Sequence, residues 1–276
     1  MFLGRRRATI KRVYVLGAGP AGLLAAQAAG VKGYPVTVFS KPSANGQVAK
    51  SKLYGCQYLH TFIPGIGIMR DGWRPVKYQL DGPVDGYRQK VYGDAWSGTV
   101  SPDEYGPEQD HRAWDLRAAY ESLWAIWREY TVAMNISSDN VSHLFGDPHA
   151  VVITSIPARV LCKFPDGHRF ASTDIWAMGS APGNVLPYRA PDDTVRCNGW
   201  RDTGWYRAAT VFGHSTLEWP GGKKPPIAGV AAVSKPLSTD CDCWQSSRVL
   251  RVGRYGTWTK GVLVHTAYGE TLEWLP

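Results

Sequence analysis

The feature that most constrains this chain is Gly17-x-Gly19-x-x-Gly22, set between an apolar run, Arg12 to Leu16 (RVYVL), and an Ala/Leu-rich stretch, Ala21 to Ala29. The run reads as a strand and the stretch as a helix closed by Gly30 and Gly33; Pro35 to Phe39 (PVTVF) reads as a second strand. In that setting Gly17 permits a tight turn, Gly19 lets backbone approach a pyrophosphate, and Gly22 allows close helix–strand packing. Pro20 and Ala21 lie where the helix opens, and its free N–H groups and positive dipole end suit phosphates. The expectation is a dinucleotide-binding βαβ unit. An acid for the ribose hydroxyls is usual at the end of the second strand, and Ser40-Lys41 stands there instead. Ser40 can bond a hydroxyl. Lys41 suits the 2′-phosphate of NADP or is a solvated loop residue, so the loop alone leaves FAD and NADP open.

The chain has 276 residues, one large domain or two small ones at roughly 150 residues each. With 44% hydrophobic and 20% charged residues it can build a core and is not a disordered sequence. No apolar run approaches the roughly 18 residues of a membrane span, and the basic N-terminus lacks the apolar stretch of a signal peptide. Five cysteines, an odd number without framework spacing, point to a reducing, cytoplasmic compartment. The net charge is +8, and Arg5, Arg6, Arg7, Lys11 and Arg12 supply much of it with no acid among them. The preferred reading is a solvated arm; the alternative is contact with a polyanion such as nucleic acid.

Further along, Gly- and Pro-rich loops with short strands are expected from Ser51 to Glu108, with Tyr87 to Tyr92 (YRQKVY) as the clearest alternating piece. Trp114 to Met134 reads as one helix, with Trp114, Leu116, Tyr120, Leu123, Trp124, Trp127 and Tyr130 on a packed face. Ala150 to Ser155 reads as a buried strand, followed by Ile156-Pro157. Val249 to Val252 is a last strand, followed by a Gly-rich turn and a helix from about Gly261 to Trp274. Gly221 to Pro226 is a surface loop without the strand and helix that a nucleotide loop needs.

Three more segments resemble flavoproteins of the glutathione-reductase-like FAD superfamily, most closely UDP-galactopyranose mutase and its relatives. Tyr54-Gly55-Cys56-Gln57-Tyr58-Leu59-His60-Thr61 resembles that family's Y-G-P-H-I-F-H-T segment, which lies against the flavin. His60 falls on the second His, and Gln57 replaces the first. Val195-Arg196-Cys197-Asn198, Asp202 and Tyr206-Arg207 resemble V-x-N-x-x-D…Y-T-R, whose Arg meets a substrate phosphate. Gly253-Arg254-Tyr255-Gly256-Thr257-Trp258 resembles the late G-R-x-x-x-Y turn that closes over the flavin. The departures are Ser40 in place of the ribose acid and Lys260-Gly261 where the family has an acid. The chain is also similar to small FAD-dependent proteins of bacteriophage genomes, some of which act on amino-modified pyrimidines in DNA.

The resemblance implies an α/β fold: a Rossmann-like FAD-binding domain with an inserted α+β substrate-facing region. The expected organisation is 8–61, 141–162 and 246–276 for the FAD-binding parts, with 62–140 and 163–245 facing the substrate. FAD is the implied cofactor, held by Gly17, Gly19, Pro20, Ala21, Gly22, Ser40, Lys41, Gly55, Gln57, Tyr58, Gly253, Arg254 and Trp258. His60 is the implied hydrogen-bond partner or proton donor at the ring, and Arg207 the implied site for an anionic group. Three functions follow: an FAD-dependent oxidoreductase, acting on an amine of a modified pyrimidine in phage DNA; a mutase-like isomerase of a nucleotide sugar; or a nucleic-acid-associated flavoprotein without turnover. Host cytoplasm is the location for a phage-encoded protein.

Other constellations have simpler readings. Cys162, His168, Cys241 and Cys243 could form a Cys3His zinc site, but reduced thiols and a surface histidine are preferred, so no metal is expected. His111, His143, His149, His214 and His265 are scattered and read as surface or core histidines. Trp200, Trp205 and Trp219 beside Arg201 and Arg207 read as core and loop packing, with an aromatic-basic surface for a base or sugar as the alternative.

Overall fold

A computed structural model describes residues 10–93, 110–178, 186–244 and 246–276. The run Arg5–Arg7 lies outside them. From the N-terminus the elements are β1 (Arg12–Leu16), α1 (Pro20–Val31), β2 (Val36–Ser40), β3 (Arg74–Asp81), α2 (Val84–Tyr92), β4 (Asp110–Ala113) and α3 (Leu116–Trp127). They continue with β5 (Thr131–Ala133), α4 (Ser142–Gly146), β6 (Ala150–Thr154), α5 (Ala158–Leu161), β7 (Phe170–Met178), β8 (Thr194–Asn198), β9 (Arg207–Val211) and β10 (His214–Pro220). The last are β11 (Val230–Thr239), β12 (Val249–Arg251), α6 (Gly253–Thr257) and α7 (Thr266–Trp274). No helix among the described residues is long and apolar enough to cross a membrane.

Two compact units share the chain. The first takes residues up to Ser51, then Tyr120–Arg169 and Asp240–Pro276; the second takes Lys52–Ala119 and Phe170–Thr239. The first unit holds a five-stranded sheet in the order β12-β6-β1-β2-β5, parallel throughout. Counted within this sheet alone, that is the doubly wound order 3-2-1-4-5, and it reverses between β1 and β6. Strands covered on both faces read as continuous apolar runs, and β6 (AVVIT) is buried along its whole length. The α1 helix is buried nearly all round, at Gly22, Leu23, Leu24, Ala25, Ala26, Ala28 and Ala29, so its small side chains let it sit close to β1 and α7.

The second unit holds a seven-stranded sheet, β11-β7-β10-β9-β8-β3-β4, antiparallel except for the β3–β8 pair. Val76, Ala113, Val195, Ala209 and Val211 pack there with Tyr58. Val91, Tyr92, Ile175, Ala177, Tyr206 and Leu237 form a second cluster beneath α2.

Two expectations are corrected. Tyr87 to Tyr92 is not a strand but the end of α2, where Pro83 opens the helix and Asp85 lies in its first turn. Val84, Tyr87 and Val91 stand at the i, i+3 and i+7 spacing of one helix face, which outweighs the short alternation. The long helix expected to Met134 stops at Trp127, passes through a 3-10 turn at Arg128–Tyr130, and becomes β5. The Thr131 hydroxyl donates to the Trp127 carbonyl at 2.7 Å, and β5 then pairs with β2, so Tyr130 is 58% exposed rather than packed.

Candidate functional site

In the first unit the glycine loop leaves the end of β1 beside the end of β6, where the strand order reverses. A parallel sheet opens its ligand crevice at such a point. Gly17 has φ +107°, and a Cβ there would lie 2.5 Å from Ser155 Oγ. A Cβ on Gly22 would lie 1.8 Å from the Gly17 carbonyl oxygen, so α1 can approach β1 only with glycine there. Gly19 differs: among the described residues a Cβ would meet only Ser51 Oγ, at 3.8 Å, which leaves open space over the first turn of α1. Gly19 is the N-cap, makes no side-chain cap, and is followed by Pro20; no acid occupies the first turn. Backbone donors, open volume and no negative charge fit a dinucleotide phosphate.

Gly253, with φ +67°, brings α6 against α1; a Cβ on it would sit 2.7 Å from Ala21 Cβ. Arg254 is half-buried in this turn, and Trp258 closes it in a left-handed conformation with its ring buried. Ser40 is buried at the end of β2, where its carbonyl accepts the Met134 amide N–H, whereas Lys41 is exposed. Sequence reasoning missed two supports. The Ser155 hydroxyl donates to Leu16 and Gly17 carbonyls, and the Tyr120 hydroxyl donates to the Ala18 carbonyl at 2.8 Å. Ser155 sits at a strand end and Tyr120 within an aromatic stripe, so neither carried a local signal.

In the second unit, Gly55 has φ +72° and its N–H donates to Met178 at 3.0 Å. Glu218 is the hub here. One of its oxygens accepts the Cys56 N–H at 3.2 Å and lies 3.5 Å from Arg207; the other accepts from Lys235 at 2.6 Å and from the Tyr206 hydroxyl. Burial alone would raise the Glu218 pKa, but Arg207 and Lys235 hold the carboxyl well below the ordinary carboxylate range. Arg207 also donates to the Tyr87 hydroxyl at 2.9 Å, and its Nε is buried without a hydrogen-bond partner among the described residues. Burial pushes the Cys56 thiol up to about 12, which disfavours its thiolate near neutral pH. The signal for Glu218 was present: one acid inside the apolar strand T-L-E-W-P.

His60 stands among rings. Its centroid is 4.6 Å from Tyr58 and 5.7 Å from His111, while the Tyr58 hydroxyl donates to the Tyr78 hydroxyl at 2.8 Å. Gln57 is exposed and donates to the Tyr54 carbonyl. The tryptophans do not form one surface. Trp219 is buried with Met178, Ala208 and Leu217, Trp205 stacks on Tyr188 at 4.7 Å, and Trp200 is 53% exposed.

No protein-family model matches the chain, and no curated protein matches it. Solved structures do. Reduced UDP-galactopyranose mutase superposes with a TM-score of 0.50 at 11% identity, over 96% of this chain and 94% of that one. RebC with bound 7-carboxy-K252c gives 0.53 at 13% identity, over 96% of this chain and 59% of that one. Aklavinone-11 hydroxylase in complex with FAD and aklavinone gives 0.51 at 12% identity, over 96% and 61%. The chain thus spans about three-fifths of the last two. At these identities the likeness is one of fold: the α/β class with a Rossmann-like parallel sheet.

Proposed function

We propose that this protein is an FAD-dependent oxidoreductase. The observation that carries the proposal is the glycine loop at the reversal point of the parallel sheet, with open volume over Gly19 and Gly253 closing on Ala21. The choice of FAD over NADP is supported by the ordered flavoprotein-like segments at Gly55–His60, Val195–Arg207 and Gly253–Trp258. The fold shared with a hydroxylase solved with FAD supports it further.

In this reading Gly17, Gly19, Pro20, Ala21 and Gly22 hold the pyrophosphate, and Ser40 and Lys41 serve the ribose. The flavoprotein-like segments assign Gly253, Arg254 and Trp258 of the first unit to the flavin ring, and they assign Gly55, Gln57 and Tyr58 of the second unit likewise. Bound FAD supplies hydride and electron transfer. The chain's own part is to bind, orient and move protons: His60, braced by Tyr58, holds or delivers a proton at its imidazole nitrogen. Arg207 reaches an anionic substrate group only by sharing a guanidinium already engaged by Glu218 and Tyr87.

The absorption spectrum of the purified chain, with mass spectrometry of the released cofactor, tests the proposal. A yellow protein releasing FAD is expected; a colourless one that binds NADP and takes up no FAD overturns it. The substrate proposed is one carrying an anionic group. Turnover coupled to O2 or NADPH marks the oxidoreductase, and binding of a UDP-sugar marks the isomerase. A salt-sensitive mobility shift on DNA, flattened by deleting the basic arm, marks a nucleic-acid substrate.

A further inference from the structure

Where the chain leaves the first unit at Arg169 and re-enters it at Asp240, two loops lie side by side. The Arg169 N–H donates to the Asp240 carboxylate at 2.8 Å. On one loop, Cys162 follows α5, and a tight turn over Phe164-Pro165-Asp166-Gly167, closed by the Gly167 N–H donating to the Phe164 carbonyl at 3.0 Å, returns His168 to it. On the other, Cys241 and Cys243 flank one exposed residue, Asp242. The ligand atoms of Cys162, His168, Cys241 and Cys243 all lie within 4.8 Å of one another.

The spacing is that of a coordination shell. A zinc ion with Zn–S bonds of about 2.3 Å sets tetrahedral sulfurs about 3.8 Å apart. Cys162 and Cys243 sulfurs are 3.9 Å apart, and His168 Nδ1 lies 3.1 Å from the first and 3.8 Å from the second. No disulfide links any of these cysteines. Backbone N–H groups of Lys163 and Phe164 point at the sulfurs, as donors do around metal-bound thiolates. Three thiolates and one zinc ion leave a net charge of −1, and two cations stand by. Arg251 donates to the Cys241 carbonyl at 3.1 Å, also donates to the Cys243 carbonyl, and lies 3.9 Å from Cys241 Sγ; Lys163 lies over the adjacent Trp244 ring.

We propose that Cys162, His168, Cys241 and Cys243 form a closed, structural Cys3His zinc site that clasps the two loops of the first unit. Binding displaces the three thiol protons to solvent and uses the neutral imidazole through Nδ1; no electron moves. All four positions are filled by protein, so the ion has no open site for catalysis and its role is to hold the fold.

Metal analysis of the full chain, purified without added metal and dialysed under reducing conditions, tests this. One zinc per chain is expected. Replacement by cobalt should give the intense visible bands of tetrahedral thiolate-bound cobalt, and a chelator should remove both the metal and part of the thermal stability. Cys243→Ser and His168→Ala should each lose the metal, whereas His143→Ala, on the exposed face of α4, should keep it. Metal-free protein that shows no cobalt bands when cobalt is supplied overturns the proposal. So does zinc kept at full stoichiometry by both ligand variants. Where a variant fails to fold, the cobalt spectrum of the unaltered chain decides alone.

Discussion

Gly19 and Gly22 are equal members of a motif but differ in what surrounds them. A Cβ on Gly22 runs into the Gly17 carbonyl at 1.8 Å, so Gly22→Ala must push α1 off β1. Gly22→Ala should lower stability by about 1–3 kcal/mol, the usual cost of overpacking. Gly19 has ordinary helix-entry backbone, φ −76°, and nothing nearer than 3.8 Å to its Cβ position. Gly19→Val should therefore fold with nearly unchanged thermal stability yet retain no FAD, because the branched side chain fills the space the phosphates need. Thermal melts beside cofactor absorbance separate the two variants, and a yellow Gly19→Val protein sinks the phosphate assignment. His60 makes a third case. His60→Ala should keep FAD and slow reduction or reoxidation by about 10²–10⁴-fold, the range of general acid–base catalysis. Stopped-flow traces matching the unaltered protein would reduce His60 to packing.

Elements that carry a strong local signal were the legible ones. The β1–α1–β2 unit was read within a residue or two of its limits at most ends, because alternating strand, glycine loop and apolar helix each carry a local signal. β6 and β12 were read from their apolar runs. One misread element depends on a distant partner: β5 exists because β2 offers it an edge, and a window around Trp114 to Met134 does not contain β2. The same holds for the candidate site. The glycines announce themselves, whereas Glu218 gains its meaning from Arg207, Lys235, Tyr206 and the Cys56 backbone, which β9, β10 and β11 and the Gly55 loop bring together. Because the folded carboxyl is held below its unfolded value, protons favour the unfolded chain once the pH drops under the ordinary Glu value of about 4.3. The stabilisation is complete above that pH and is lost progressively below it. Urea melts at falling pH should show this decline, and Glu218→Gln should flatten it. At neutral pH the same variant should cost about 3–5 kcal/mol, since it leaves the partly buried Arg207 and Lys235 without the buried counter-charge of Glu218. An equal acid decline in both proteins would assign the pH dependence elsewhere.

At the scale of the whole chain, neither unit is a single run of sequence. The first unit needs three segments, and its last, Asp240–Pro276, supplies the edge strand β12, the α6 turn against Ala21, and α7. The glycine loop therefore rests on residues more than two hundred positions away. α7 packs on α1, the helix whose first turn faces the proposed phosphates. Ala267 and Thr271 are fully buried in α7, and Leu275 just beyond it is 1% exposed. The Lys32 ammonium, past the end of α1, donates to the Leu275 carbonyl, and the Tyr34 hydroxyl to that of Pro276. Leu275→Ala should thus cost about 2–5 kcal/mol, the range for emptying a buried leucine site. Deleting residues 266–276 should do more, baring one side of α1 and lowering both soluble yield and FAD retention. Flavin fluorescence in a urea titration reads both effects, because FAD released from the protein brightens as α1 loses its support. If the shortened chain holds FAD to the same urea concentration as the full one, α1 is held by the parallel sheet alone, and α7 is an accessory to the cofactor site rather than a part of it.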